Sequence, residues 1–211
     1  MTIGIIDYGM GNLGSVSNAC RFLQLPSRII TAPGQIDGCD GLILPGVGAF
    51  GDCMKHLAAH GFIDPVKAWI AADRPFLGIC LGLQVLFASS EESPGVPGLG
   101  ILPGTVRKFN LPAAFKVPQI GWNRVTQTRP GNPLFAGVAD GTHFYFVHSY
   151  YVACDEAALV SGTTDYGAVY TSAVTRGRLS AVQFHPEKSQ QAGLALLRNF
   201  GEQLETRKAV A

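Results

Sequence analysis

Pro75-Phe-Leu-Gly-Ile-Cys80-Leu-Gly-Leu-Gln-Val-Leu-Phe87 sets a short apolar run before a cysteine and a segment of helical character after it. The cysteine stands in the pattern Gly78-x-Cys80-x-Gly82, the cysteine form of a nucleophile elbow. Small residues on either side let the chain turn sharply from strand to helix, so the side chain projects from the sheet edge. The helix that follows brings its positive dipole end to the sulfur. By itself the segment is equally compatible with a cysteine buried as a small apolar residue.

Working outward from this unit, apolar runs of strand length recur at residues 3–7, 27–31, 41–44 and 76–79. They alternate with helical patterns at 16–23, 53–60, 63–72 and 81–88, each bounded by glycine, proline or a polar cap. Strand and helix in series predict an α/β fold with a mostly parallel sheet and helices on both faces. From Gly104 the pattern changes to strands at 105–109, 143–147, 168–175 and 179–183, with one helix at 192–204. This predicts an antiparallel extension in the second half. The Pro- and Gly-rich stretch 91–104 is expected to be a loop inside a single domain covering 1–211.

The composition is that of an ordinary globular chain, with 47% hydrophobic and 15% charged residues over 211 positions. A formal net charge of +1 offers no broad field for gripping nucleic acid or an anionic membrane. No apolar run approaches the roughly 18 to 20 residues that span a bilayer, and the first residues lack a basic signal-like start. A cytoplasmic protein is expected. Five cysteines with no C-x-x-C pair argue against a disulfide framework, zinc or redox chemistry, and no metal or organic cofactor is expected.

A nucleophilic thiol needs a base and an orienting group. Of the five histidines, only His185 has an acid close by, in Ala181-Val-Gln-Phe-His185-Pro-Glu187-Lys-Ser. The histidine ends an apolar strand, the proline forbids ordinary helical continuation, and Glu187 can turn to the same side. A carboxylate on one imidazole nitrogen fixes the tautomer and leaves the other to exchange the thiol proton, giving a Cys80, His185, Glu187 triad. The glycine-rich Pro45-Gly-Val-Gly-Ala-Phe-Gly51 follows a strand and suits an oxyanion site, with the amides of Val47 and Leu81 as donors. The glycines beside Val47 allow a peptide rotation that completes it. A tight turn that needs glycine for its dihedrals is an equal alternative for this loop.

Together the elbow, His185-Pro-Glu187 and the Pro45-Gly-Val-Gly loop resemble the triad-type, class I glutamine amidotransferase domain over nearly the whole chain. More narrowly, Ile5-Ile-Asp-Tyr-Gly-Met-Gly-Asn12, Gly121-Trp-Asn123, Phe146-Val-His-Ser-Tyr150 and Gln183-Phe-His-Pro-Glu-Lys-Ser189 resemble the glutaminase subunits of imidazole glycerol phosphate synthases. The resemblance implies a flavodoxin-like fold, L-glutamine as substrate and a thioester on Cys80. It implies that Gly46, Gly48, Gln84, His148, Ser149 and Tyr150 hold the substrate. It also implies a (β/α)8 barrel cyclase as partner in a heterodimer, with Asn12, Trp122, Asn123 and Lys188 near the interface. Ammonia would pass through that barrel to an intermediate of histidine biosynthesis, giving imidazole glycerol phosphate and AICAR. Gln119 and Leu83 stand where the family pattern often has His and Met.

Rival readings exist. Gly9-Met-Gly-Asn-Leu-Gly14 fits a dinucleotide fingerprint but lacks the acidic residue about 20 positions on, so a tight turn is expected. Tyr145, Phe146, Tyr150 and Tyr151 lack interleaved basic residues and read as core and pocket aromatics, not a base-stacking surface. The glutaminase of another synthase, and a cysteine sensor on the same fold, are the alternative functions.

Overall fold

The computed structural model describes residues 1–205. Its strands are β1 (Ile3–Ile6), β2 (Ser27–Ile30), β3 (Gly41–Gly46), β4 (Phe76–Cys80), β5 (Gly104–Lys108), β6 (Gln119–Gln127), β7 (Thr142–His148), β8 (Tyr150–Cys154), β9 (Val160–Asp165), β10 (Val169–Arg176) and β11 (Leu179–Val182). Its α-helices are α1 (Leu13–Phe22), α2 (Phe50–Ala59), α3 (Ile63–Ala71), α4 (Leu81–Gln84) and α5 (Gln190–Glu205).

All the strands join one sheet in the order β2-β1-β3-β4-β11-β10-β9-β6-β7, with β8 paired to β10 and β5 to β8. The pairs from β2 through β11 are parallel. Those beyond are antiparallel. The expected parallel sheet with an antiparallel extension is therefore present.

Strand periodicity explains the layers. Ile3 and Ile5, Ile43, Leu77 and Ile79 feed one core, where they meet Val16, Cys20, Leu196 and Phe200 of α1 and α5. Ile6, Leu42, Leu44, Phe76 and Ala181 feed the other, where they meet Cys53, Leu57, Val66 and Trp69 of α2 and α3. Alternate residues face opposite sides of a strand, so continuous apolar runs in the parallel half bury both faces.

Three strands escape the sequence pattern. β6 lies near the sheet's outer end and buries only Gln119 and Val125 of its nine residues, so it lacks the expected apolar alternation. β9 is built of small polar residues, with Ser161, Gly162 and Thr164 buried. β8 continues β7 past a break at Ser149 and adds Tyr150 to Cys154 to the sheet.

The helix expected at 81–88 is also shorter, ending at Gln84. All seven residues from Leu81 to Phe87 are buried, so the segment has no polar face. The carbonyls that would continue the helix are taken by the following loop. Leu99 N–H donates to Val85 O at 2.7 Å, Ile101 N–H to Leu86 O at 2.8 Å, and Gly98 N–H to Ala88 O at 2.8 Å. The Pro- and Gly-rich 91–104 stretch thus packs back onto the segment after the elbow.

The tightest approach in the parallel half is at Gly82, where a β-carbon would lie 2.0 Å from the Leu44 carbonyl oxygen. We expect Gly82→Ala to destabilise the fold by about 2 to 3 kcal/mol, since backbone must move to admit the methyl. Urea denaturation measures this; an unchanged midpoint would contradict the close packing of the elbow on β3.

Candidate active site

Three adjacent parallel strands deliver the site. β3 ends in Gly46, β4 ends in Cys80, and β11 leads through Gln183 to His185. In the parallel register Gly46 lies level with Cys80. The carboxyl ends of neighbouring parallel strands are where open α/β sheets form their crevices.

Cys80 adopts φ 55° and ψ −107°, a conformation that a side chain strains to hold. It is 7% exposed, and its sulfur faces a cavity of about 350 Å³. The cavity is lined by Val47, Gly48, Cys80, Leu81, Gln84, Glu92, Pro118, Val147, His148, Ser149, Tyr150 and His185. Most of the sequence-predicted substrate residues are in that wall. Gly46 sits just behind it, where a β-carbon would meet Leu81 Cβ at 2.7 Å and the Tyr8 hydroxyl at 2.9 Å.

His185 Nδ1 pairs with Glu187 Oε1 at 2.8 Å, both side chains being almost wholly buried. The turn at Pro186–Lys188 folds the glutamate back beneath the ring. Ser189 braces the turn: its hydroxyl donates to His185 O at 2.6 Å and accepts from Tyr145 N–H at 2.9 Å. The free Nε2 makes no formed hydrogen bond, yet the ring lies near enough to Cys80 to interact with it electrostatically. Burial, the largest influence, lowers the His185 pKa, but interactions with Cys80 and Glu187 together outweigh it and raise the value to about 10. An imidazolium is the form able to protonate a leaving amine.

His148 behaves oppositely. Burial lowers its pKa to about 4, so it is neutral. Its Nδ1 then donates to the Tyr150 carbonyl at 2.7 Å, and Nε2 accepts from the Tyr170 hydroxyl at 3.2 Å. That assignment uses the only Tyr170 proton, so the Gln119 amide 2.9 Å from the Tyr170 oxygen must present its nitrogen there. Gln119 therefore sits behind the pocket, bracing His148.

Two residues, one lining the cavity and one buried behind Cys80, escape sequence reasoning. Glu92 lines the cavity and accepts from the Phe50 amide at the start of α2 at 2.8 Å. Gln183 is fully buried, with Nε2 3.6 Å from Cys80 Sγ. Neither is flagged by spacing, because Glu92 lies in a loop and Gln183 looks like an ordinary strand-end residue. A third, Tyr8, is buried beneath the glycine-rich loop and donates its hydroxyl to Pro45 O at 3.1 Å.

Away from the cavity, Trp122 is 47% exposed, which excludes a core role. It packs edge-on against Tyr145, over which Lys188 Nζ lies at 5.9 Å. Asn123 is used internally, donating to Asp165 O at 2.9 Å and accepting from Arg124 N–H. Asn12 precedes α1 on a separate element and makes no side-chain cap bond. In the neighbouring turn Gly9 and Gly11 have positive φ, while Gly14 has open space where a β-carbon would stand. The third glycine thus lacks the close helix packing that a dinucleotide fingerprint requires.

Residues 5–204 match the model of the family described as "Glutamine amidotransferase class-I". The imidazole glycerol phosphate synthase subunit HisH of Moorella thermoacetica is 52% identical over 95% of this chain and 94% of its own length. The HisH subunit of Syntrophotalea carbinolica is 48% identical, covering 95% and 99%. The chain belongs to the class I glutamine amidotransferases, among the HisH subunits. Solved structures carry the same fold at low identity. PurLQS from Thermotoga maritima matches with a TM-score of 0.78 at 15% identity over 96% of this chain and 98% of that one. The glutaminase domain of Trypanosoma brucei CTPS gives 0.66 at 16% identity, over 96% and 94%.

The raised His185 pKa carries a stability signature. The folded value of about 10 lies above the 6.5 of an ordinary imidazole, so the bound proton stabilises the fold fully below about pH 6.5. That contribution is lost as the pH climbs through about 10. Urea midpoints are expected to fall over this range, and to fall less in Glu187→Gln. Parallel profiles for the two proteins would show that Glu187 does not hold the proton.

Proposed function

We propose that this chain hydrolyses L-glutamine to glutamate and ammonia and supplies the ammonia to the cyclase subunit of imidazole glycerol phosphate synthase in histidine biosynthesis. The observation that carries this reading is the convergence of Cys80 and the Glu187-bound imidazole of His185 at the ends of β4 and β11. They face a cavity sized for one amino acid. The HisH subunits at about half identity over nearly the full chain support the choice of synthase.

In this mechanism the Cys80 thiolate attacks the glutamine side-chain carbonyl, and the carbonyl oxygen becomes an oxyanion held by the amides of Val47 and Leu81. The C–N bond breaks as His185 gives its proton to the departing ammonia, leaving a thioester. Water, deprotonated by the now neutral His185, attacks the thioester and expels the thiolate, releasing glutamate. Glu187 keeps the ring oriented throughout. Gly46, Gly48, Gln84, His148, Ser149 and Tyr150 frame the substrate, with His148 acting through neutral hydrogen bonds. Glu92, the one carboxylate among the lining residues, suits the α-ammonium group.

The partner in this reading is a (β/α)8 barrel cyclase. Trp122 with Tyr145 and Lys188, flanked by exposed Ile120 and Val117, offers a semi-apolar docking patch next to the turn that carries the triad. Asn12 and Asn123 belong to the same expected contact region.

Cys80→Ala is expected to cut glutamine-dependent synthesis by at least about a thousandfold while synthesis from added ammonium continues. Equal loss with both nitrogen sources would overturn the assignment. Trp122→Ala should weaken binding to the cyclase by about tenfold or more, read by titration calorimetry. Unchanged affinity would move the interface elsewhere.

A further inference from the structure

The wall behind Cys80 contains two buried glutamines whose orientations are fixed by proton counting. The Tyr150 carbonyl can only accept, so the Gln84 group 2.9 Å from it must be the amide nitrogen. That nitrogen spends its second hydrogen on Gln183 Oε1, at 3.1 Å. The far end of Gln183 is then necessarily its own nitrogen, and it lies 3.6 Å from Cys80 Sγ. Turning Gln84 over would set oxygen against the oxygens of Tyr150 and Gln183, and turning Gln183 over would set donor against donor and oxygen against sulfur.

We infer that Gln183 is a further catalytic residue, a fixed N–H donor to the Cys80 thiolate, oriented through Gln84 by the backbone carbonyl of Tyr150. This deepens the glutaminase reading and rests on it. A charge-assisted bond of this kind favours the anionic sulfur before attack and again when water expels it from the thioester. His185, the other partner of the sulfur, must move its proton during each half-reaction. Gln183 has no proton to lose, so it stabilises the thiolate without entering the acid–base steps.

The groups that bear on the sulfur's charge come from several elements. His185 with Glu187 stands on the β11 side, and Glu92 lines the same cavity. Tyr8 and Cys53 interact with the sulfur electrostatically, and His148 is neutral. The amide of Gln183 does not titrate, so its removal alters the sulfur's surroundings without adding or removing a proton-binding group.

The test is alkylation of Cys80 in the full chain by iodoacetamide, followed by mass spectrometry of the peptide carrying it, at about pH 6 and about pH 9.5. Removing the donor lowers the thiolate fraction at low pH and leaves the remaining thiolate somewhat more nucleophilic. Gln183→Met keeps the volume but not the donor, and is expected to raise the ratio of high-pH to low-pH rates by about tenfold. Gln183→Glu places an acidic group against the sulfur and should raise the ratio at least as much, which covers the case in which the methionine variant folds poorly. A ratio unchanged in both variants overturns the inference, as does an equal loss of rate at both pH values, which would mean altered access only. If Cys80 of the unaltered chain reacts no faster at low pH than an ordinary thiol, the glutaminase reading itself fails. If the unaltered chain reacts as an activated thiol and the variants match it, only the role of Gln183 falls.

Discussion

The site depends on how closely the turn after β4 approaches β3. At Gly82 the two backbones leave no room for a methyl group, and a β-carbon at Gly78 would lie 2.6 Å from the Gly82 carbonyl oxygen. A turn this sharp requires Cys80 to sit at positive φ, at an intrinsic cost of about 1 to 3 kcal/mol. The strands on both sides, buried on both faces, hold it there. The position of the Cys80 thiol is thus set by sheet register. β11 pairs with β4 residue by residue, so its continuation brings His185 to the same edge without any long or flexible connection.

The two buried histidines of the site show how local partners decide charge. His148 and His185 are both well buried, and burial lowers the pKa of each. His148 meets a backbone carbonyl and a tyrosine hydroxyl, neither of which carries charge, and ends neutral. His185 meets a carboxylate and a cysteine, and ends protonated. One ring is therefore neutral and the other holds a second proton. The contrast lies in the neighbours, because the depth of burial is similar.

Those neighbours also mark the limit of what the sequence discloses. Runs such as 41–44 and 76–79 are legible because both faces of each strand are buried, and the elbow is legible because its glycines have a steric task. His185 and Glu187 are close in sequence, so their pairing can be argued from two residue types and a proline. Glu92 and Gln183 reach the site through contacts made across the fold; Gln183 stands in the quoted motif beside His185, yet its contact with Cys80 comes from 103 residues away in sequence. β6 and β9 are hidden for a related reason: their polar residues are satisfied by neighbouring strands, so they lack the apolar period. The helix after Cys80 is shorter than its apolar pattern suggests, since the competition from residues 98–101 for its carbonyls is tertiary.

The strand that leads to His185 is the last of the described strands, yet it lies in the middle of the sheet, between β4 and β10. As the polypeptide leaves the ribosome, β4 waits with one edge open until Leu179 to Val182 have been made. Only the arrival of β11 closes that edge and sets an imidazole beside the sulfur. An incomplete product ending before Leu179 would present an unpaired, apolar strand edge and a thiol without its base. It would be a target for aggregation or degradation and not a leaky source of ammonia. Synthesis of β11 and the meeting of Cys80 with His185 are, by this topology, nearly the same event.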